Sequence, residues 1–384
     1  MQQETKAIRY QSKRTQYGEH STPLYLTSSF VFDDVQQMED AFHGKVQREV
    51  YSRYGNPNVQ ELIDKVCQME GAETGLATAS GMASVFATFG ALLQAGDHVL
   101  ASSALFGSAY KILEQILSKW GITHDYVEPE DLEAWKNKIR PNTKLIFLET
   151  PSNPMLRLVD IEAVSQLAKA NNSILVVDNC FASPYLQNPI LFGADLVLHS
   201  STKYMDGQGR VLGGMIVGRT DLIEEIQFFI RHTGPSLSPF NAWVISKSLE
   251  TLALRMEKHC ANALAIAQWL EQHPKVDRVL YPFLDSHPQQ KLAQKQMKLG
   301  GGIVSFELKG DGNTVKAFID RTNLFSITSN LGDSRSILTH PVSSSLAKTP
   351  VEKRLQFGVK DNLIRISVGL ENEEDLIKDL ENAF

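Results

Sequence analysis

The sequence predicts an α/β fold in two parts, a large domain built on parallel strands and a smaller α+β domain after it. Three observations carry this. From about residue 56 to 220, helical patterns alternate with short apolar runs, as in parallel strands joined by crossover helices. Runs such as Ile174-Leu175-Val176-Val177 are apolar at every position, as strands buried on both faces require. After about residue 240 the alternation gives way to one long helical stretch, then isolated strands and short helices.

Taken in order, residues 1–55 are polar, rich in turn formers and aromatics, and weakly periodic. They read as an extended arm. Its rings (Tyr25, Phe30, Phe32, Tyr51, Tyr54) must be buried on a neighbouring subunit or on the chain's own core. Residues 59–70 and 82–93 read as helices, the second with Phe86 and Phe89 on one face. A strand at 97–101, a helix at 108–120, a strand at 144–149, a helix at 161–170 and a strand at 174–178 follow. Two more strands are expected at 194–199 and 215–218. The second part opens with helix over 241–271, where Leu249, Leu252, Ala253 and Met256 fall at helical spacing, and Pro274 stops it. Three glycines, 300–302, precede a strand at 303–308. A helix at 314–322, a strand at 364–368 and a closing helix at 373–380 complete the chain. The expected units are an arm at 1–55, an α/β domain at 56–245 and an α+β domain at 246–384.

Composition narrows the function classes. Hydrophobic residues make up 42% of the chain, enough for large cores. Lys and Arg number 38 against 44 Asp and Glu, a net charge of −6, which argues against a chain-wide polyanion binder. There is no basic stripe interleaved with aromatics and no basic amphipathic helix, so neither nucleic acid nor membrane is an expected partner. No apolar run approaches the ~20 residues of a membrane span, and residues 1–14 lack the apolar segment of a secretory signal. A cytoplasmic protein is expected. Cys67, Cys180 and Cys260 lie far apart, without zinc-ligand spacing, so neither disulfides nor a metal site is expected.

The chemistry concentrates in two strand ends. The run 195–199 ends in Ser200, Ser201 and Thr202, then Lys203. Upstream, Val176-Val177 leads into Asp178. In a parallel sheet both ends lie on one edge, where ligands bind. A lysine and an acid on that edge suit pyridoxal phosphate (PLP): the lysine forms a Schiff base and the acid keeps the pyridine nitrogen protonated. Hydroxyls beside the lysine can bind the phosphate. The plain alternative is a common Ser-Thr-Lys triplet and an Asp serving as a helix N-cap. In Thr78-Ala79-Ser80-Gly81-Met82, small and hydroxyl residues open an apolar helix, whose free N–H groups can bind phosphate. An ordinary Ser cap reads the same way.

Longer motifs extend the reading. They are Tyr51-Ser-Arg53-Tyr-Gly-Asn-Pro57, Ala79-Ser-Gly-Met82, Glu149-Thr-Pro-Ser-Asn153-Pro, Val177-Asp178-Asn179, His199-Ser-Ser-Thr-Lys203-Tyr, Ser286-His-Pro288, Gly301-Gly-Ile-Val-Ser-Phe306 and Leu363-Ile-Arg365-Ile-Ser-Val-Gly369. In this order, nearly end to end, they resemble the Cys/Met-metabolism family of PLP enzymes. The resemblance implies a PLP-dependent transferase fold, aspartate aminotransferase-like, with a mostly parallel large sheet. It implies Lys203 as Schiff-base lysine and proton shuttle, and Asp178 on the pyridine nitrogen. It places Ser80, Gly81, Met82, Ser200 and Thr202 at the phosphate and Phe106 on the cofactor ring. Tyr51 and Arg53 match a pair that reaches the phosphate of a neighbouring subunit, which implies a homotetramer of site-sharing dimers. Arg365 matches the clamp on the substrate α-carboxylate, joined by Asn153, Asn330 and Leu331 as substrate contacts.

Departures from the family pattern are specific. Leu105-Phe106-Gly107 stands where most members have a tyrosine, so the ring can stack but cannot carry a proton. The loop Tyr204-Met-Asp-Gly-Gln-Gly-Arg210-Val-Leu-Gly-Gly214 and the segment Asn330-Leu-Gly-Asp-Ser334 are similar to members that use sulfide on O-succinylhomoserine. The resemblance therefore implies a homoserine ester and sulfide as substrates. Cysteine as nucleophile, or γ-elimination, are the alternatives, and the acyl group stays open. Arg210 and Arg335 read either as holders of a second carboxylate or as surface salt bridges.

Overall fold

The computed structural model describes residues 1–384. Strands β1 (Thr74–Thr78), β2 (His98–Ser102), β3 (Thr123–Val127), β4 (Thr143–Glu149), β5 (Ile174–Asp178), β6 (Leu196–His199) and β7 (Gly214–Gly218) form one sheet in the order β1-β7-β6-β5-β4-β2-β3. From β3 to β6 every pairing is parallel. β7 is antiparallel to both neighbours, because the loop 200–213 returns directly from β6 without a helical crossover.

The all-apolar runs face two cores. Leu145 and Phe147 of β4, with Ile174 and Val176 of β5, enter one. Ile146 and Leu148, with Leu175 and Val177, enter the other. Successive side chains of a strand point to opposite faces, so helices must cover both. Each such side chain, fully buried, contributes roughly 1.5–3 kcal/mol. This fixes the strand ends rigidly, and the ends of β4, β5 and β6 bring Glu149, Asp178 and His199 to one edge.

Two strands of this sheet escape the sequence pattern, as do the strands Val276–Leu280, Ser326–Ile327 and Ile337–Thr339 in the second part of the chain. β1 is Thr-Gly-Leu-Ala-Thr, weak in β-formers. Its Gly75 fits because a Cβ there would stand 2.7 Å from Val217 Cγ1. β3 is an edge strand with only its last residue buried. The expected helix at 108–120 winds in three short pieces, α at Gly107–Lys111, π at Ile112–Ile116 and 3₁₀ at Leu117–Trp120. The expected helix at 241–271 is two helices, Pro239–Leu249 and Leu252–Gln272. At the break Arg255 donates to Ser248 O at 2.9 Å, a carbonyl that a continuous helix would leave to its own backbone, and to Tyr204 O of the lysine loop at 2.6 Å.

A second sheet holds β8 (Val276–Leu280), β9 (Ile303–Leu308), β10 (Ser326–Ile327), β11 (Ile337–Thr339) and β12 (Leu363–Ser367), in the order β10-β11-β12-β9-β8. Its core, with Phe306, Phe318, Ile364 and Ile366, is separate from the first two.

The arm divides in the middle. Helix Gln3–Arg9 docks on the chain itself, with Gln3 donating to Met69 O and Pro184 O, both at 2.9 Å. Glu61 accepts the Ser12 N–H and the Thr22 hydroxyl, and Trp243 donates to Thr22 O. Tyr25, Phe30 and Phe32 are half-buried. Val31 between them, and Phe42, Tyr51 and Tyr54 beyond them, are exposed, and helix Val35–Phe42 buries no residue. No helix is long and apolar enough to cross a membrane.

Candidate active site

The edge formed by β4, β5 and β6 floors a cavity of about 280 Å³. Asp178 and Glu149 stand side by side there, paired in register on adjacent strands. Asp178 Oδ1 accepts the Cys180 N–H at 3.1 Å, the one hydrogen bond its carboxylate receives. Burial pushes its carboxyl up to about 6, against that N–H and the nearby His199, which both pull it down. Glu149 accepts the Phe106 N–H at 2.7 Å and the Asn153 N–H at 3.1 Å. Burial and the Asp178 charge hold it well above the usual carboxylate range. Beneath the floor, His199 Nε2 lies 2.6 Å from Glu70 Oε1, which also accepts from Asn179 at 3.0 Å.

One wall is the start of helix Gly81–Leu92. Ser80 caps it, accepting the Ala83 N–H at 3.2 Å. A Cβ on Gly81 would stand 2.7 Å from Ser200 Cβ, so glycine lets the helix start meet the lysine loop. Unpaired N–H groups there form an anion cradle. Thr202 exchanges hydrogen bonds with Gly213, donating to its carbonyl and accepting its N–H at 3.1 Å. Lys203 emerges over the floor, its Nζ donating to Asn330 Oδ1 at 2.5 Å. Burial lowers its pKa; Cys180 opposes this and Arg365 adds to it. Gly332, at φ +74°, lets the 330–332 turn pass the Lys203–Tyr204 backbone, where a Cβ would stand 2.7 Å from Tyr204 N.

The second sheet closes the cavity. Arg365 of β12 is 4% exposed and donates to Asn153 Oδ1 at 2.9 Å and Asn330 O at 3.1 Å. Its Nε is buried without a partner, and burial lowers its pKa to about 10. A buried cation with a spare donor fits a carboxylate.

The structure thus brings Lys203, Asp178, Ser80, Gly81, Met82, Phe106, Ser200, Thr202, Asn153, Leu331 and Arg365 to one cavity, with Asn330 on the lysine. It does not bring Tyr51 and Arg53 there. Both are exposed on the arm, with the guanidinium 5.4 Å from the Tyr51 ring, 4.7 Å from the Tyr54 ring, and bonded to Arg231 O. Arg210 and Arg335 are held by Asp206 and Asp333, at 2.8 and 2.9 Å. Glu149, His199 and Cys180 line the cavity without having been singled out for a role. Glu149 closes an apolar run as Asp178 does, so the same signal marks it. No group of three or more His, Cys, Asp or Glu side chains is placed to hold a metal.

These features fit pyridoxal phosphate: a half-buried lysine, an acid with a free oxygen on the floor, a glycine-opened anion cradle and an apolar ring at the lip. Comparisons agree. A family model described as "Cys/Met metabolism PLP-dependent enzyme" matches residues 4–384. An O-succinylhomoserine sulfhydrylase of Pseudomonas aeruginosa is 46% identical over 377 residues, covering 98% of this chain and 94% of the relative. An L-methionine gamma-lyase of Fusobacterium nucleatum is 40% identical over 383 residues, covering 99% and 97%. The crystal structure of a putative O-acetylhomoserine (thiol)-lyase from Campylobacter jejuni, which carries N'-pyridoxyl-lysine-5'-monophosphate, matches with TM-score 0.95 at 32% identity, covering 100% and 99%.

Proposed function

The chain belongs to the Cys/Met metabolism PLP-dependent enzymes, and from that premise we propose that it replaces the γ-substituent of O-succinyl-L-homoserine with sulfide, giving L-homocysteine and succinate. Pyridoxal phosphate, when bound, supplies the electron sink for charge developing along the substrate's carbon chain. Lys203, Asp178, Ser80, Gly81, Met82, Ser200 and Thr202 would hold it, and Phe106 offers an apolar face for stacking.

The reaction breaks a Cγ–O bond and forms a Cγ–S bond, while protons leave and return at carbon. Lys203 is the group placed to carry them. Burial eases loss of its own proton, and Asn330 Oδ1 orients its Nζ. Asp178, on the floor, is the counter-charge for a cationic ring nitrogen. Arg365 and Asn153 clamp the α-carboxylate and so orient the chain. Tyr51 and Arg53 complete the phosphate site of a neighbouring subunit, in a homotetramer of site-sharing dimers.

The observation that carries the choice of sulfide is Phe106. It lines the cavity and has no hydroxyl, so it can neither take nor give a proton. A cysteine thiol needs deprotonation near neutral pH, whereas hydrosulfide arrives ionised and asks less of the site. The name and 46% identity of the Pseudomonas aeruginosa relative support this reading. The 40% identity to an L-methionine gamma-lyase keeps γ-elimination as a second reading.

The deciding experiment offers sulfide and cysteine together with O-succinyl-L-homoserine and PLP, and reads products by mass. Mostly homocysteine is expected. Mostly cystathionine would overturn the Phe106 argument, and 2-oxobutyrate with ammonia as the main product would favour the lyase.

A further inference from the structure

We infer that Glu149 is a positioning residue: it ties the Phe106 wall to the Asn153–Arg365 clamp and so sets affinity for a substrate α-carboxylate without touching it. The inference rests on the proposed role of Arg365 and Asn153 as that clamp.

The geometry is a continuous chain of hydrogen bonds around the cavity. Phe106 N–H donates to Glu149 Oε2 at 2.7 Å, and Asn153 N–H donates to Oε1 at 3.1 Å. Asn153 Oδ1 accepts from Arg365 at 2.9 Å. Arg365 in turn donates to Asn330 O at 3.1 Å, and Asn330 Oδ1 accepts from Lys203 at 2.5 Å. Glu149 is the only member whose two oxygens each serve a different segment of backbone. It sits at the rigid end of β4, while its two clients lie on loops. Without it, the loop bearing Phe106 and the loop bearing Asn153 have no common anchor in this chain of contacts.

The chemistry demands a carboxylate. Two backbone N–H donors meet two separate oxygens, and glutamine can offer an oxygen to only one. Its amide would face the other N–H donor to donor, leaving a buried group unmade. Glu149 is 5% exposed, so water cannot readily step in. The site keeps two acids side by side on its floor, Glu149 and Asp178, at an electrostatic cost that burial enlarges. A purely structural filler would not require that cost, whereas a two-point anchor does.

The test uses holoenzyme and L-2-aminobutyrate, an amino acid with an α-carboxylate and no γ-leaving group, titrated by the change in cofactor absorbance. Glu149→Gln is expected to raise its Kd by about tenfold, as one buried hydrogen bond implies. PLP affinity of the cofactor-free protein, read by fluorescence, is expected to weaken by less than the Kd for L-2-aminobutyrate does, since Glu149 holds the backbone of Phe106 and makes no contact in the phosphate cradle. Asn153→Ala added to Glu149→Gln is expected to cost little more than either alone, because both break one path. Fully additive effects, or an unchanged Kd in Glu149→Gln, would overturn the inference. Arg365→Ala separates the premise: an unchanged Kd there removes the clamp itself, and the inference with it. If Glu149→Gln lacks a cooperative melt, Glu149→Asp decides. It keeps the charge but is one methylene short, so weaker binding is expected and wild-type affinity would overturn the anchor.

Discussion

The cavity floor and the N-terminal arm, which we propose serve one cofactor, are built in opposite ways. The floor residues arrive on strand ends between two cores, and Glu149 and His199 are buried with partners inside the chain. On the arm, Arg53 lies between the rings of Tyr51 and Tyr54, all three exposed, about 180 residues from its one hydrogen-bond partner, Arg231 O. Ordering backbone costs roughly 1–2 kcal/mol per residue. The first 25 residues offset it with contacts to Met69, Glu61 and Trp243, whereas residues 26–55 leave Val31 and Phe42 open to solvent. A floor complete within one chain and an arm incomplete within it are what a shared site would require of each.

At a PLP concentration too low to load Arg53→Ala, mixing two inactive variants gives the largest effect and the most direct way to break this comparison. Lys203→Ala is expected to abolish turnover, since it removes the proton carrier. Arg53→Ala is expected to weaken PLP retention by roughly tenfold or more, the worth of a charge-assisted hydrogen bond. If the arm crosses to a neighbour, a mixed dimer holds one site with both lesions and one with neither. Random reassociation then returns about a quarter of wild-type activity, because half the dimers are mixed and each has one intact site. No recovery on mixing, with mixed dimers demonstrated by mass, would put the arm back on its own chain.

The pH response sharpens the comparison from the other side. Burial pushes Asp178 up to about 6, although the Cys180 N–H and His199 pull it down. A folded value above the ordinary 3.8 means the folded protein binds that proton more tightly than the unfolded chain. The stability it contributes is fully present below about pH 4 and is lost as pH rises through about 6. In cofactor-free protein this amounts to on the order of 3 kcal/mol. Glu149 is shifted the same way and adds to the slope. Urea unfolding from pH 4 to 7 is expected to show a clear fall for the wild type and a smaller one for Asp178→Asn. Equal slopes would mean the floor is not where the protein stores its response to pH.

The same contrast explains what can be read from the chain before it is folded. The floor announces itself, because Leu145–Leu148 and Ile174–Val177 are apolar at every position and each ends in an acid. The Lys203 loop follows a third such run. β1 and β3 stay hidden because they satisfy sheet edges with glycine, threonine and polar residues, where packing rather than propensity decides. The reversal of β7 is also hidden, since a loop of fourteen residues, 200–213, carries no signal of strand direction. The break at 250–251 depends on Arg255 reaching Tyr204, a contact 51 positions away that periodicity cannot contain. The Glu149 anchor is half visible: the acid is plain, but its two N–H donors belong to loops 43 residues before it and 4 after it.

The smallest expected effect concerns the turn that bears Arg335, which is not among the residues lining the cavity and resembles neither region. Arg335 is well exposed, yet its guanidinium is held by Asp333 at 2.9 Å and by Gln208 O at 2.9 Å. An exposed pair of this kind contributes about 0–1 kcal/mol. A succinyl carboxylate would therefore have to displace a resident carboxylate to gain this cation, and the exchange returns little. Arg335→Ala is expected to change KM for O-succinyl-L-homoserine by less than about threefold and to leave kcat unchanged. A tenfold rise in KM with kcat intact would mean that Asp333 releases the guanidinium to substrate. The Arg335 turn would then join the floor and the arm as part of the site, and the ester's second carboxylate would have its partner.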